Sequence, residues 1–173
     1  MSLTRGYEFD IGTLLADSRP ESILSIGPAT RDLLADYLEQ RAFLVRPCRI
    51  VTLEPADALA NLGKLGRFDL GIVADTLEQM DKIEGRHLIA RLRDVHTARF
   101  CVVVTIDARE TGGKSQWTAS DFLGLGMTLV NAYDHDSVPR HMYKYDIATY
   151  KSTPDWLNPS DWANPELWDK YRW

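Results

Sequence analysis

The stretch SILSIGPATRDLL, residues 22–34, decides the fold. Ile23, Leu24 and Ile26 make a short apolar strand, Gly27 and Pro28 turn the chain, and Arg31, Asp32, Leu33 and Leu34 open a helix. A strand that turns at once into a helix aims the helix's free amides, with their partial positive charge, past the strand's carboxyl end. Turns of this kind that hold a ligand against the backbone normally carry two or three glycines, because glycine alone tolerates the close approach and positive φ. This one carries a single glycine.

Outward from that turn the chain alternates regularly. A helix through Leu33, Leu34, Tyr37 and Leu38 leads to a β-branched run at 49–53, one βαβ unit. A second cycle follows: a short helix through ADALANL, a strand at FDLGIVAD, a helix over 82–95 and the run FCVVVTI at 100–106. Runs this continuously apolar imply burial on both faces, as in a parallel sheet between helical layers. Leu88, Leu92 and Val95 give the long helix its stripe, with Asp81 as cap and Glu84 in the first turn. His87 and His96 read as surface or cap residues of that helix. WTASDF starts another helix, Thr118 and Asp121 forming a capping box and Trp117 stapling onto Phe122. MTLVNAY and HMYKYDIA flank the turn-rich DHDSVPR, which predicts two antiparallel strands. Ahead of all this, Ile11, Leu14 and Leu15 mark a short helix ending before Pro20, a layer over the sheet.

A length of 173 residues, 45% hydrophobic and 26% charged, suits one soluble globular domain. No apolar run approaches the roughly 20 residues of a membrane span, and the N-terminus lacks signal-peptide regions, so a cytoplasmic protein is expected. A net charge of −5 argues against a nucleic-acid surface. Cys48 and Cys101 lack the spacing of a zinc knuckle or redox pair and read as reduced, buried thiols.

These residues carry a resemblance. ILSIGPATRDLL resembles the first motif of the class I S-adenosylmethionine-dependent methyltransferases, a strand ending in Asp-Ile-Gly-Pro-Gly-Thr-Gly. RIVTLEPADAL resembles the second, where a strand ends in Glu-Pro; RFDLGIVADTLEQM resembles the fourth-strand motif, and FLGLGMTLVNAY the run into a closing hairpin. The resemblance spans about residues 20–150 and implies a Rossmann-like three-layer α/β/α sandwich, mostly parallel with a C-terminal antiparallel hairpin. It implies that S-adenosylmethionine lies over Ser25, Gly27, Pro28, Ala29 and Thr30, that Glu54 accepts both ribose hydroxyls, and that Asp75 and Thr76 line the methionine and sulfonium side. No catalytic residue is implied. Methyl transfer in this family needs mainly proximity and alignment of two bound partners.

Three positions depart from the motif. Ser25 stands where the family has an acid that meets the cofactor's amino group, Ala29 replaces its second glycine and Arg31 its third. The Arg31 guanidinium can swing outward, pair with Asp32 or Glu54, or project into the cofactor's space. Only 15 positions separate Glu54 from Asp69, room for one short helix and no third strand, which shortens the region that would recognise adenine. Two functions of different class follow: a methyltransferase with a remodelled site, or a non-catalytic relative that keeps the fold for binding. A nicotinamide-binding reading needs a glycine pattern that residues 27–32 lack.

Other features read plainly. TGGK at 111–114 lacks the spacing of a phosphate loop and reads as a connection. His135 and His141, with Asp134 and Asp136, read as a solvated hairpin tip, not a metal site. Residues 1–150 make the domain, and 151–173 a tail with Trp156, Trp162 and Trp168 at intervals of six, then Trp173. The tail either covers the domain's own sheet edge or docks a partner, and the bared edge offers a route to a homodimer.

Overall fold

The computed structural model describes residues 6–44, 47–106, 114–135 and 138–149; the tail and its tryptophans, and all of TGGK but its lysine, lie outside them. The alternating pattern becomes α1 (Gly6–Ser18), β1 (Ser22–Ile26), α2 (Arg31–Phe43), β2 (Arg49–Leu53), α3 (Ala58–Leu62), β3 (Leu70–Ala74), α4 (Lys82–Arg91), β4 (Arg99–Thr105), α5 (Ala119–Gly124), β5 (Thr128–His135) and β6 (Val138–Asp146). Short 3₁₀ turns precede α2, α3 and α4.

The strands form one sheet in the order β2-β1-β3-β4-β6-β5. Pairing is parallel from β2 through β4 and antiparallel where β6 inserts between β4 and β5. Among the described residues no strand lies beyond β2, as the short Glu54–Asp69 spacing requires; that segment is spent on a 3₁₀ turn and α3. Strand β2 therefore forms an edge, and its Arg49 and Thr52 are exposed while β3 is buried throughout.

Alternation along each strand divides the core into two layers. Ile23, Leu70, Ile72, Ala74, Cys101 and Val103 face α1 and α2, meeting Tyr7, Ile11, Leu15 and Leu34. Leu24, Ile26, Val73, Phe100, Val102 and Val104 face α3, α4 and α5, meeting Ala58, Leu62, Leu88, Leu92, Trp117 and Phe122. Thus α1 is the expected layer over the sheet. Its Asp10 accepts hydrogen bonds from the Tyr133 hydroxyl and, at 3.2 Å, the Asn131 amide of β5.

Two expectations need correction at the end of α4. Val95 is exposed, off the stripe of Leu88 and Leu92, and His96 is only 3% exposed. The cause is a π turn over Leu92–His96, closed by the Thr97 amide donating to the Leu92 carbonyl at 2.8 Å. One extra residue in the turn rotates Val95 outward and His96 inward. His96 Nδ1 lies 3.1 Å from the Gly66 carbonyl oxygen, a contact that requires the proton on Nδ1. Asp81 occupies the N-cap of α4 but its side chain makes no capping bond.

The start of α5 follows the sequence closely. Thr118 and Asp121 form the reciprocal capping box, and the Trp117 and Phe122 rings stand 5.3 Å apart. Asp121 also receives Lys82 at 2.7 Å and Arg86 at 2.9 Å, which ties α5 to α4. Burial acts to raise the Asp121 pKa, but hydrogen bonds from Lys82 and from the Thr118 amide and hydroxyl outweigh it. The value falls from 3.8 to about 2. A carboxylate depressed on folding stabilises the protein above its unfolded pKa, and that contribution is lost as pH falls through the folded value. Wild-type stability should therefore drop between about pH 4 and about pH 2 in urea titrations, and Asp121→Asn should flatten this slope while costing about 1–2 kcal/mol at neutral pH.

Candidate functional site

The site is built where β1, β2 and β3 end together. Register pairs Ile26 with Leu53 on one side and with Val73 on the other, so Gly27 and Glu54 lie level with Ala74, and Asp75 leaves β3 one residue further on. The Gly27 amide donates to the Leu53 carbonyl at 3.0 Å, joining the turn to β2. Gly27 has φ 99, and Pro28–Thr30 form a 3₁₀ turn that runs into α2.

The single glycine of the motif is demanded by its neighbours. A Cβ at Gly27 would fall on the Ala74 carbonyl oxygen and within 2.5 Å of Thr76 Oγ1. Thr76 is fully buried, and its hydroxyl sits 2.9 Å from the Ile26 carbonyl and 3.0 Å from that of Ala74. It braces the turn from below, binding the end of β1 to the end of β3. Ser25, 1% exposed, alternates onto the α1/α2 face of β1. Pro28 and Glu54 are open to solvent, and Ala29 is partly buried against the α1/α2 layer.

Of the arrangements open to Arg31, the structure adopts the pair with Glu54. Arg31 Nη2 donates to Glu54 Oε1 at 3.2 Å, with side chains 66% and 58% exposed. Arg31 stands at the positive end of α2, where a cation is disfavoured. Reaching across to the carboxylate at the end of β2 relieves that repulsion. An ion pair this exposed contributes about 0–1 kcal/mol, so a ligand that offers Glu54 hydroxyl donors can displace it.

Asp75 has φ 49, a left-handed conformation rare for a side chain with a Cβ and worth on the order of 1–3 kcal/mol of strain. Its carbonyl accepts Gln79 Nε2 at 2.6 Å, and its carboxylate meets Arg140 Nε of β6 at 3.6 Å. Arg140 and Glu78 are the residues that sequence reasoning missed. Glu78 Oε1 accepts the Thr105 amide at 2.5 Å, while Oε2 is buried without a partner. Burial pushes the Glu78 carboxyl above its ordinary range, against the lowering effect of the Thr105 amide. Glu78 lay in the quoted fourth-strand motif, three residues past Asp75, and that proximity was the available signal; nothing local marks Arg140, which arrives through the antiparallel return of β6.

Other candidates fall elsewhere. His141 Nδ1 pairs with the Tyr143 hydroxyl at 3.1 Å, and among the described residues no group of three or more His, Cys, Asp or Glu could hold a metal ion. Cys101 is fully buried, its thiol pushed up to about 12 by desolvation, whereas Cys48 is only partly buried. Among the described residues no helix is long and apolar enough to cross a membrane.

A mostly parallel sheet between helical layers, closed by an antiparallel hairpin and with a glycine turn and an acidic residue at adjacent strand ends, is the fold of S-adenosylmethionine-dependent methyltransferases. The solved structures agree. The chain is similar to magnesium protoporphyrin IX methyltransferase from Synechocystis PCC 6803 with bound SAH, 10% identical with TM-score 0.55 over 80% of each chain. It is also similar to the N-terminal domain of EvdMO1 in the presence of SAH and D-fucose, 12% identical with TM-score 0.53 over 83% of this chain and 84% of that one. For TehB from Haemophilus influenzae the figures are 8%, 0.52, 84% and 63%. Identities this low show a shared fold. By sequence, residues 6–173 match the family of unknown function DUF6231, and the chain belongs to it. No curated protein matches it by sequence.

Because Gly27 is packed against β3 on one side and hydrogen-bonded to β2 on the other, Gly27→Ala should destabilise the whole sheet. Lost left-handed freedom and the clash with Ala74 together should cost about 3 kcal/mol, read as a shift of the urea midpoint with unchanged slope. A smaller change, below about 1 kcal/mol, would show that the turn relaxes away from β3.

Proposed function

We propose that this chain is an S-adenosylmethionine-binding, methyltransferase-like protein whose ligand lies over the turn from Gly27 to Thr30. Glu54 receives the ribose hydroxyls, and Asp75 borders the methionine and sulfonium side. The observation that supports this reading is the register of the three parallel strands, which sets Gly27 and Glu54 level at the sheet's carboxyl edge with Asp75 at the neighbouring end of β3, one residue further along. In open α/β sheets that edge is where ligands bind. Thr76 contributes by bracing the turn, since its hydroxyl is engaged with the Ile26 and Ala74 carbonyls. Ser25 cannot supply the carboxylate that the family uses for the cofactor's amino group, so affinity at that end rests on the turn's backbone amides.

A second reading has its own observation. The Arg31–Glu54 pair occupies the carboxylate that ribose would use, and Ser25 is neutral where an acid is expected. A methyltransferase-fold protein that no longer turns over, and serves as a binding or regulatory module, fits those two residues. On either reading the open edge of β2 suits pairing with a second copy or a protein partner.

Calorimetry with S-adenosylmethionine and S-adenosylhomocysteine separates the two. On the first reading both ligands give saturable heat; Arg31→Ala tightens binding by up to about fivefold, the value of an exposed ion pair. Glu54→Ala weakens it by about tenfold or more, the value of hydrogen bonds to a charged group. Absence of heat at millimolar ligand, in the wild type and in Arg31→Ala alike, rejects the first reading; transfer of a labelled methyl group to any acceptor rejects the second.

A further inference from the structure

At the end of the molecule away from this crevice, the last turns of α1 and α2 enclose a cavity of about 540 Å³. It is lined by Leu15, Ala16, Arg19, Tyr37, Arg41 and Leu44 among others. Arg41 lies ten residues along α2 from Arg31, about 15 Å at the helical rise, so the cavity is separate from the crevice at Glu54.

Arg41 is the unusual group. It is 7% exposed, and its Nε is buried with no hydrogen-bond partner. Among the described residues no carboxylate pairs with it, and its guanidinium lies 6.0 Å from the Tyr37 ring centroid, at the limit of a cation–π contact. A guanidinium cannot discard its charge to escape burial, because its pKa stays far above neutrality. A buried charge is tolerated when something pairs with it. The C-terminal end of α2 offsets part of the cost, since its carbonyls carry partial negative charge, but a helix end does not fill a cavity.

The surroundings describe what would. Arg19, at the carboxyl end of α1, brings a second guanidinium to the same walls and holds a left-handed φ of 43. Leu15, Ala16 and Leu44 supply an apolar wall, and Tyr37 and Gln40 complete the lining. Two cations and an apolar wall in a space of this size suit a small molecule with both characters.

We propose that the cavity between the carboxyl ends of α1 and α2 binds a small amphipathic anion, its carboxylate-like group held by Arg41 and Arg19 and its apolar body by Leu15, Ala16 and Leu44. Binding supplies the counter-charge that Arg41 lacks among the described residues. The contact is direct ionic recognition, so a neutral molecule of the same shape should bind poorly.

Octanoate is the probe, with octanol as its neutral counterpart, titrated calorimetrically into the full chain. Saturable octanoate binding is expected, with octanol weaker by at least about tenfold. Arg41→Met keeps the apolar stem and removes the charge; it should weaken octanoate by at least about tenfold, and the ligand-free variant should melt no lower than wild type. Arg19→Gln, at an exposed position, should weaken octanoate by a smaller factor and carries the test if Arg41→Met fails to fold. The proposal is overturned if octanoate shows no saturable binding to wild type, if octanol binds equally, or if either variant retains wild-type affinity. Adenosyl-ligand binding at Glu54 is unaffected by any of these outcomes.

Discussion

The structure depends on the contact between the ends of β1 and β3. Gly27 passes so close to the Ala74 carbonyl that no side chain fits, and the Thr76 hydroxyl lies within hydrogen-bonding distance of both Ile26 and Ala74. On the other side the Gly27 amide is fixed to Leu53. Three strand ends are thereby fastened at one residue, and the helix that follows starts in a defined direction. Glycine here serves two demands at once: positive φ and a missing Cβ. The first can serve a ligand, but the second is imposed by the sheet whether or not a ligand is present.

That double role explains why the fold was legible in the sequence while the site was only partly so. Continuous apolar runs at 70–74 and 100–104 can only be central strands, and the capping box at Thr118 and Asp121 is a local device that needs no distant partner. Side-chain partners at the crevice are different. Arg31 had several partners in reach, and exposed ion pairs differ by less than about 1 kcal/mol, so residue types alone leave the choice open. The π turn at Leu92–His96 was hidden for another reason. Periodicity assumes 3.6 residues per turn, and a single wider turn shifts every later position while leaving composition unchanged.

Helix α2 carries an arginine at each end, and the two meet opposite electrostatic conditions. Arg31 sits where the helix is positive and finds its compensation outside the helix, in Glu54. Arg41 sits in the last turn, where the helix is negative, yet it is enclosed by α1 and has no carboxylate beside it among the described residues. The favourable helix end accounts for the residue type at position 41, because a cation in the last turn is stabilising. It does not account for the burial, which follows from α1 lying over α2 through Leu15 and Leu34.

The two ends of the protein therefore present different polar surroundings to a ligand. At the carboxyl edge of the sheet Glu54 has Arg31, Thr76 has the Ile26 and Ala74 carbonyls, Asp75 faces Arg140 and Ser25 is neutral, while Glu78 Oε2 and Arg140 Nε are buried without a hydrogen-bond partner. A ligand arriving there exchanges existing interactions for new ones, which limits its net gain. An acid at position 25 would have reversed this, because a carboxylate buried as Ser25 is buried would be costly until a ligand's ammonium met it. Replacing it by serine lowers the cost of the empty crevice and, by the same amount, the reward for filling it. At the other end Arg41 Nε is likewise buried without a hydrogen-bond partner, and among the described residues no carboxylate stands beside it. An anion arriving at the ends of α1 and α2 meets a donor without a partner, whereas a ligand reaching Glu54 first competes with the Arg31–Glu54 pair.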